Sequence, residues 1–227
     1  MNAETFLTED ERRLVEQAVG DVEKTTSAEV VCALATESGR YDRAESIVGL
    51  AGALVGLGVV QWLASGPIAT EPGAWTVQKS VSLMGLALAV VLGFVAGTIL
   101  ASAWHGLRRL FTSSREMLDE TERAAGHVFV SRRLASTRDR GGLLIYVSLA
   151  ERLVVVLGDD GVMKAAGQPF LDGLRDLAVS RLREGKRVEA FTDTLKAAGE
   201  KLAGLIPLQK NDANELPNPL LVFRSRP

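Results

Sequence analysis

IVGLAGALVGLGVVQWLA at Ile47–Ala64 and VSLMGLALAVVLGFVAGTILASAW at Val81–Trp104 contain no Asp, Glu, Lys or Arg, in a chain that is 24% charged. An uncharged apolar stretch of about 18 residues or more can cross a hydrocarbon core of roughly 30 Å as a helix. In lipid the backbone must satisfy its own polar groups, so each stretch is expected to be helical. The flanking segments are charged and read as soluble structure. The expected product is a two-helix transmembrane hairpin carried inside an otherwise soluble domain.

The flanks orient that hairpin. Arg40 and Arg43 precede the first span, and Arg108, Arg109 and Arg115 follow the second. The connector Ser65–Ser80 has Lys79 as its basic residue. Excess Lys and Arg in short flanking segments marks the cytoplasmic side. Both termini are therefore expected in the cytoplasm, with the connector outside. Trp62 and Trp75 at the connector end, and Trp104 at the other, stand where indoles favour the interface. The first residues, MNAETFLTEDERR, are polar and acid-rich and do not resemble a cleavable signal.

Composition removes several classes of function. The 26 basic and 28 acidic residues show no basic excess of the kind that tracks nucleic acid. One cysteine, Cys32, excludes an intramolecular disulfide and suits a reducing compartment. The spans leave about 170 residues, enough for one soluble domain of ordinary size.

Those residues read as alternating helices and strands. Thr8 and Glu11 make a capping box, and Leu14, Val15, Ala18, Val19 and Val22 then recur at helical spacing. The run EVVCALA, Glu29–Ala35, is short and apolar, as a buried strand requires. After the hairpin, Ser114–Thr137 reads as a helix. Gly142–Leu149 and Leu153–Gly158 read as a β-hairpin around Ala150–Arg152, with Glu151 and Arg152 as solvated turn charges. Helices at Gln168–Glu184 and Val188–Leu205 follow, then a polar linker and an extended end, Leu216–Phe223. A strand, a helix and a second strand form a crossover, so the first two strands should be parallel. The fold class is thus α/β, a small α/β/α sandwich with the membrane hairpin inserted after the first strand. The boundaries are 1–43 and 107–207 for the two parts of the domain, 44–106 for the hairpin and 208–227 for the tail.

The string Arg138–Gly158, RDRGGLLIYVSLAERLVVVLG, with SAEVVCALA upstream, resembles the TPM-domain family. GDDGV at Gly158–Val162, LREGKRVEAF at Leu182–Phe191 and NELPNP at Asn214–Pro219 extend the resemblance over nearly all soluble residues. It is nearest to bacterial membrane members with two spans between the first strand and the rest of the domain. The resemblance implies an α/β/α sandwich doing membrane-associated work at the bacterial inner membrane. Members are linked to photosystem repair, to receptor assistance and, in one plant branch, to acid phosphatase activity.

Few residues offer chemistry of their own. His105 and His127 stand alone, and zinc needs three or four ligands at suitable spacing. There is no nucleophile elbow, phosphate-binding loop or dinucleotide fingerprint. Cys32 sits in a strand and reads as a core side chain. No catalytic residue is assigned. Asp159 and Asp160, between a strand and a helical turn, are the candidate metal ligands, with calcium as the cation. Some TPM relatives hold a cation near this loop, whereas turn and cap chemistry is what aspartate most often supplies there.

The spans carry a second pattern. Gly52 and Gly56 lie four apart in the first, and Gly85, Ala89, Gly93, Gly97 and Ala101 run every fourth residue through the second. Small residues at this spacing let helices approach closely in lipid. The other span, a second copy or another membrane protein would fit that face. The expectation is a binding or assembly module for a membrane protein complex, without nucleic acid. The alternative is a cation-dependent, phosphatase-like hydrolase.

Overall fold

The computed structural model describes residues 2–39, 42–65, 81–103, 112–134, 141–208 and 219–227. In chain order these form α1 (Ala3–Phe6), α2 (Glu9–Glu23), β1 (Val30–Ala35), α3 (Asp42–Ala64), α4 (Leu83–Ala103) and α5 (Ser114–Ser131). Then come β2 (Leu143–Ser148), β3 (Leu153–Gly158), α6 (Asp160–Ala166), α7 (Gln168–Arg183), α8 (Glu189–Leu205) and β4 (Leu221–Phe223). They divide into two compact units, Met1–Gly39 with Arg115–Pro227, and Arg40–Ser114.

The first unit is mixed α/β. Its sheet has the order β3-β2-β1-β4, with β1 parallel to β2 and β4 and β3 antiparallel to β2. The expected crossover is present, running in register from Val30 opposite Leu143 to Ala35 opposite Ser148. Every residue of β1 and β2 is buried. That explains why both strands are continuous apolar runs rather than alternating ones: each has a helix layer on both faces. On one face Val30, Cys32, Leu34 and Ile145 pack with Val15, Val19, Leu171, Phe191 and Leu195. On the other, Val31, Ala33, Leu144 and Tyr146 pack with Ala124, Ala125 and Val128 of α5. Among the described residues, both buried clusters are made of side chains from Met1–Gly39 and Arg115–Pro227.

Local chemistry sets the helix ends. Thr8 and Glu11 close the capping box at the start of α2, the Thr8 amide donating to Glu11 Oε2 at 2.7 Å. Helix α7 stops at Gly185, whose φ of 78° allows the terminal bonds Gly185 N to Leu182 O and Lys186 N to Arg181 O. Helix α5 ends at Ser131, six residues before the expected Thr137, because Arg133 turns into the left-handed region at φ 59°. Gly142 is required by close approach, since a Cβ there would collide with the Leu134 carbonyl oxygen.

Two parts of the unit go beyond the sequence expectations. Helix α1 is buried through Ala3, Phe6 and Leu7 beside it. The extended end folds back as β4, with Leu221–Phe223 opposite Ala33–Ala35, so part of the expected tail is an edge strand of the sheet. The linker residues 209–218 lie outside the described residues.

In the β2–β3 turn, Arg152 takes φ 58°. A left-handed conformation costs a residue with a Cβ roughly 1–2 kcal/mol, and glycine avoids that cost. Arg152→Gly should therefore stabilise the domain by about 0.5–1 kcal/mol in denaturant melts, despite its greater freedom when unfolded.

The second unit is a helix pair. Residues 45–64 and 83–103 have mean hydropathy of 2.0 and 2.5 and are long and apolar enough to cross a membrane. They are not core helices: 17% and 6% of the respective apolar windows are buried, and Leu54, Trp62, Leu83 and Leu92 are exposed.

Candidate functional site

The crossing of α3 and α4 is built on glycine. A Cβ on Gly52 would run into the Gly93 carbonyl oxygen, and one on Gly93 into the Gly52 carbonyl oxygen. A Cβ on Gly56 would stand 2.6 Å from the Ala89 carbonyl oxygen, and one on Gly97 2.6 Å from that of Val48. Contacts that climb α3 as they descend α4 make the helices antiparallel. Ala101 is fully buried one turn beyond Gly97. At Gly85 a Cβ would meet, among the described residues, Val81 and Ser82 of its own chain segment. Gly49, absent from the sequence pattern, belongs to the contact, beneath Phe94 and Thr98. Trp75, Lys79, Trp104, His105, Arg108 and Arg109 lie outside the described residues.

The two aspartates have different settings. Asp159 is the N-cap of α6, its Oδ1 accepting from Gly161 N and Val162 N at 3.0 Å each. Asp160 is exposed in the first helical turn, where negative charge suits the helix N-terminus. The second oxygen of Asp159, Oδ2, is buried without a hydrogen-bond partner among the described residues. No group of three or more His, Cys, Asp or Glu suited to a metal occurs among those residues. Cys32 is buried, and its thiol is pushed well above the usual range by burial, with the charge of Glu23 adding to it. A thiol held protonated is a poor nucleophile. His127 is exposed on α5.

Sequence reading missed a buried polar cluster at the carboxyl ends of β1 and β2. Glu151, expected as a solvated turn charge, is 3% exposed. Its Oε1 accepts from the backbone N–H of Ser38 at 3.1 Å and of Gly39 at 3.4 Å, and its Oε2 accepts from Ser148 Oγ. Ser38 Oγ donates to Ser148 Oγ at 2.7 Å and also meets Tyr146 OH at 2.9 Å. A hydroxyl has one proton to give, so the phenol must donate to Ser38. The hydroxyls of Tyr146, Ser38 and Ser148 thus point one way, toward Glu151. All four side chains are buried.

The Tyr146 phenol is pushed up to about 12 by burial, with the charge of Glu151 adding to the effect. In an unfolded chain it would ionise near 10. The native state therefore keeps its proton between those values while the unfolded state sheds it. Stability from this group is full below pH 10 and falls as pH rises toward 12, by about 2–3 kcal/mol in all. Tyr146→Phe should flatten that part of the alkaline stability profile, measured by urea melts from pH 9 to 12.

Comparison with models of known families gives no match, and comparison with curated proteins gives none either. Among solved structures the chain is similar to the NMR structure of the BA42 protein from the psychrophilic bacterium Bizionia argentinensis. The TM-score is 0.56 at 20% identity, over 96% of each chain. At that identity the likeness is one of fold.

Proposed function

We propose that this chain is a two-span, TPM-like membrane protein whose α/β unit serves as a binding or assembly module for a membrane protein complex. The observation that carries the reading is the division of one α/β core between two chain segments, with an exposed apolar helix pair interposed between them. An apolar pair of that length is stable when lipid covers it. The excess of arginine at both outer flanks supports a cytoplasmic location for the two parts of the α/β unit, and the resemblance to bacterial membrane members supports the inner membrane. The buried thiol, the exposed histidine and the inaccessible serines favour binding over turnover. The partner is a membrane protein or a second copy of this chain.

Topology is the first test. A C-terminal reporter that works only outside the membrane should stay silent, and one in the connector should be active; the reverse pattern overturns the assignment. A phosphatase-like activity is the second reading, favoured by one observation, the unpartnered Oδ2 of Asp159. Catalysis there would need a metal-lowered water pKa or an activated nucleophile. The expected result is that purified protein hydrolyses generic phosphate esters no faster than Asp159→Asn, Asp160→Asn, and that calcium moves its melting temperature little. Turnover well above that double mutant and abolished by chelator would replace the binding reading. A calcium-dependent rise in melting temperature without turnover would make the loop a structural site.

A further inference from the structure

Gly39 is the last residue of the α/β unit before the chain enters the helix pair. Inward of it, Thr36 is pinned from three sides. Its N–H donates to Phe223 O, its carbonyl accepts from Ala150 N, and its hydroxyl accepts from Ala3 N. Outward, α3 starts at Asp42. Between these, no backbone–backbone hydrogen bond holds Ser38 or Gly39 among the described residues. What holds them is one side chain: Glu151 takes both N–H groups on a single oxygen.

We propose that Glu151 is a latch on the exit segment, a side chain of the β2–β3 turn that fixes where the chain leaves the sheet for the membrane hairpin. Three features distinguish it from ordinary core packing. Its acceptor serves backbone donors outside the strands, so releasing it costs no sheet hydrogen bond. Its other oxygen is held by Ser148, which is held by Ser38, so the same segment is gripped by backbone and by side chain. The Tyr146 phenol closes the series from β2. The latch therefore opens locally: Ser38 and Gly39 come free together while β1 stays paired with β2 and β4. The inference stands on the geometry of the α/β unit and does not depend on what that unit binds.

Amide hydrogen exchange on the full chain in detergent micelles tests it. Glu151→Ala removes the acceptor. Glu151→Asp, less disruptive, keeps an acceptor but withdraws it by about one carbon–carbon bond. A hydrogen bond to a charged group sets the scale of the effect. Either variant should speed exchange at Ser38 and Gly39 on the order of 10–100-fold, with amides of Cys32–Leu34 changed by less than about 3-fold. Leu195→Ala, a core truncation on α8, serves as the control and should speed the β1 amides instead. The latch is overturned if Ser38 and Gly39 exchange as slowly in Glu151→Asp as in the parent. It is equally overturned if their exchange accelerates only in step with β1, as a merely structural residue would dictate.

Discussion

Leucine at both Gly93 and Gly97 should separate α3 from α4 while leaving each helix apolar enough to insert. The atoms a new side chain would strike are the carbonyl oxygens of Gly52 and Val48 and the backbone of Gly49 and Ala53, none of which can turn aside as a side chain can. Relief has to come from moving the helices apart, which forfeits the packing that drives association in lipid. Overpacking costs roughly 1–3 kcal/mol per site when neighbours can adjust, so the pair should exceed about 2 kcal/mol. Bifunctional crosslinking between cysteines placed on α3 and α4 should be lost, with membrane extraction unchanged. Gly58→Leu is the matched control, because a Cβ there meets nothing within 4 Å. Unchanged crosslinking in the double variant would make the glycine contact incidental.

The second large effect is one of survival. Joining Gly39 to Arg115 through a flexible linker of about a dozen residues should give a soluble protein with a cooperative melt. Among the described residues, both clusters of buried side chains lie within Met1–Gly39 and Arg115–Pro227. A longer flexible loop adds only slowly to the entropy of closing it, on the order of 0.6 kcal/mol per doubling, so the connection between β1 and α5 is open to exchange. Non-cooperative melting in circular dichroism would mean that residues 40–114 help hold the α/β unit together. Phe191→Ala in the joined protein should then cost about 3–5 kcal/mol, as expected for an aromatic ring buried to 0% exposure.

What could be read in advance follows the range of each interaction. The capping box of α2, the Schellman ending of α7 and the paired apolar runs of β1 and β2 are written in residues a few positions apart. So is the glycine spacing, although the contact between α3 and α4 also takes in Gly49, which stands outside the every-fourth-residue pattern. Strand β4 was less legible: three residues among prolines have no pattern of their own and become a strand because β1 offers an open edge. The Glu151 cluster was least legible. A glutamate beside an arginine in a turn looks solvated, and nothing nearby in sequence shows that its carboxylate meets the backbone N–H groups of Ser38 and Gly39, more than 100 residues earlier. Its faint signal was Tyr146 and Ser148 at alternate positions of an otherwise apolar strand, polar tips on one face with no local partner.

The strand order also sets a schedule for biosynthesis. β1 sits second from one edge of the sheet, yet it is made first, and the residues that flank it, β2 and β4, follow after about 110 and 190 residues. At roughly 5–20 residues per second, a nascent β1 stands without its β4 neighbour for about 10–40 s. Until β2 is made VVCALA is open on both edges, its β4 edge stays open throughout that interval, and the two most hydrophobic segments of the chain are made while it waits. The sheet is therefore closed from its last strand, and a ribosome that stalls before Leu221 leaves behind a chain whose longest-exposed edge is its own first strand.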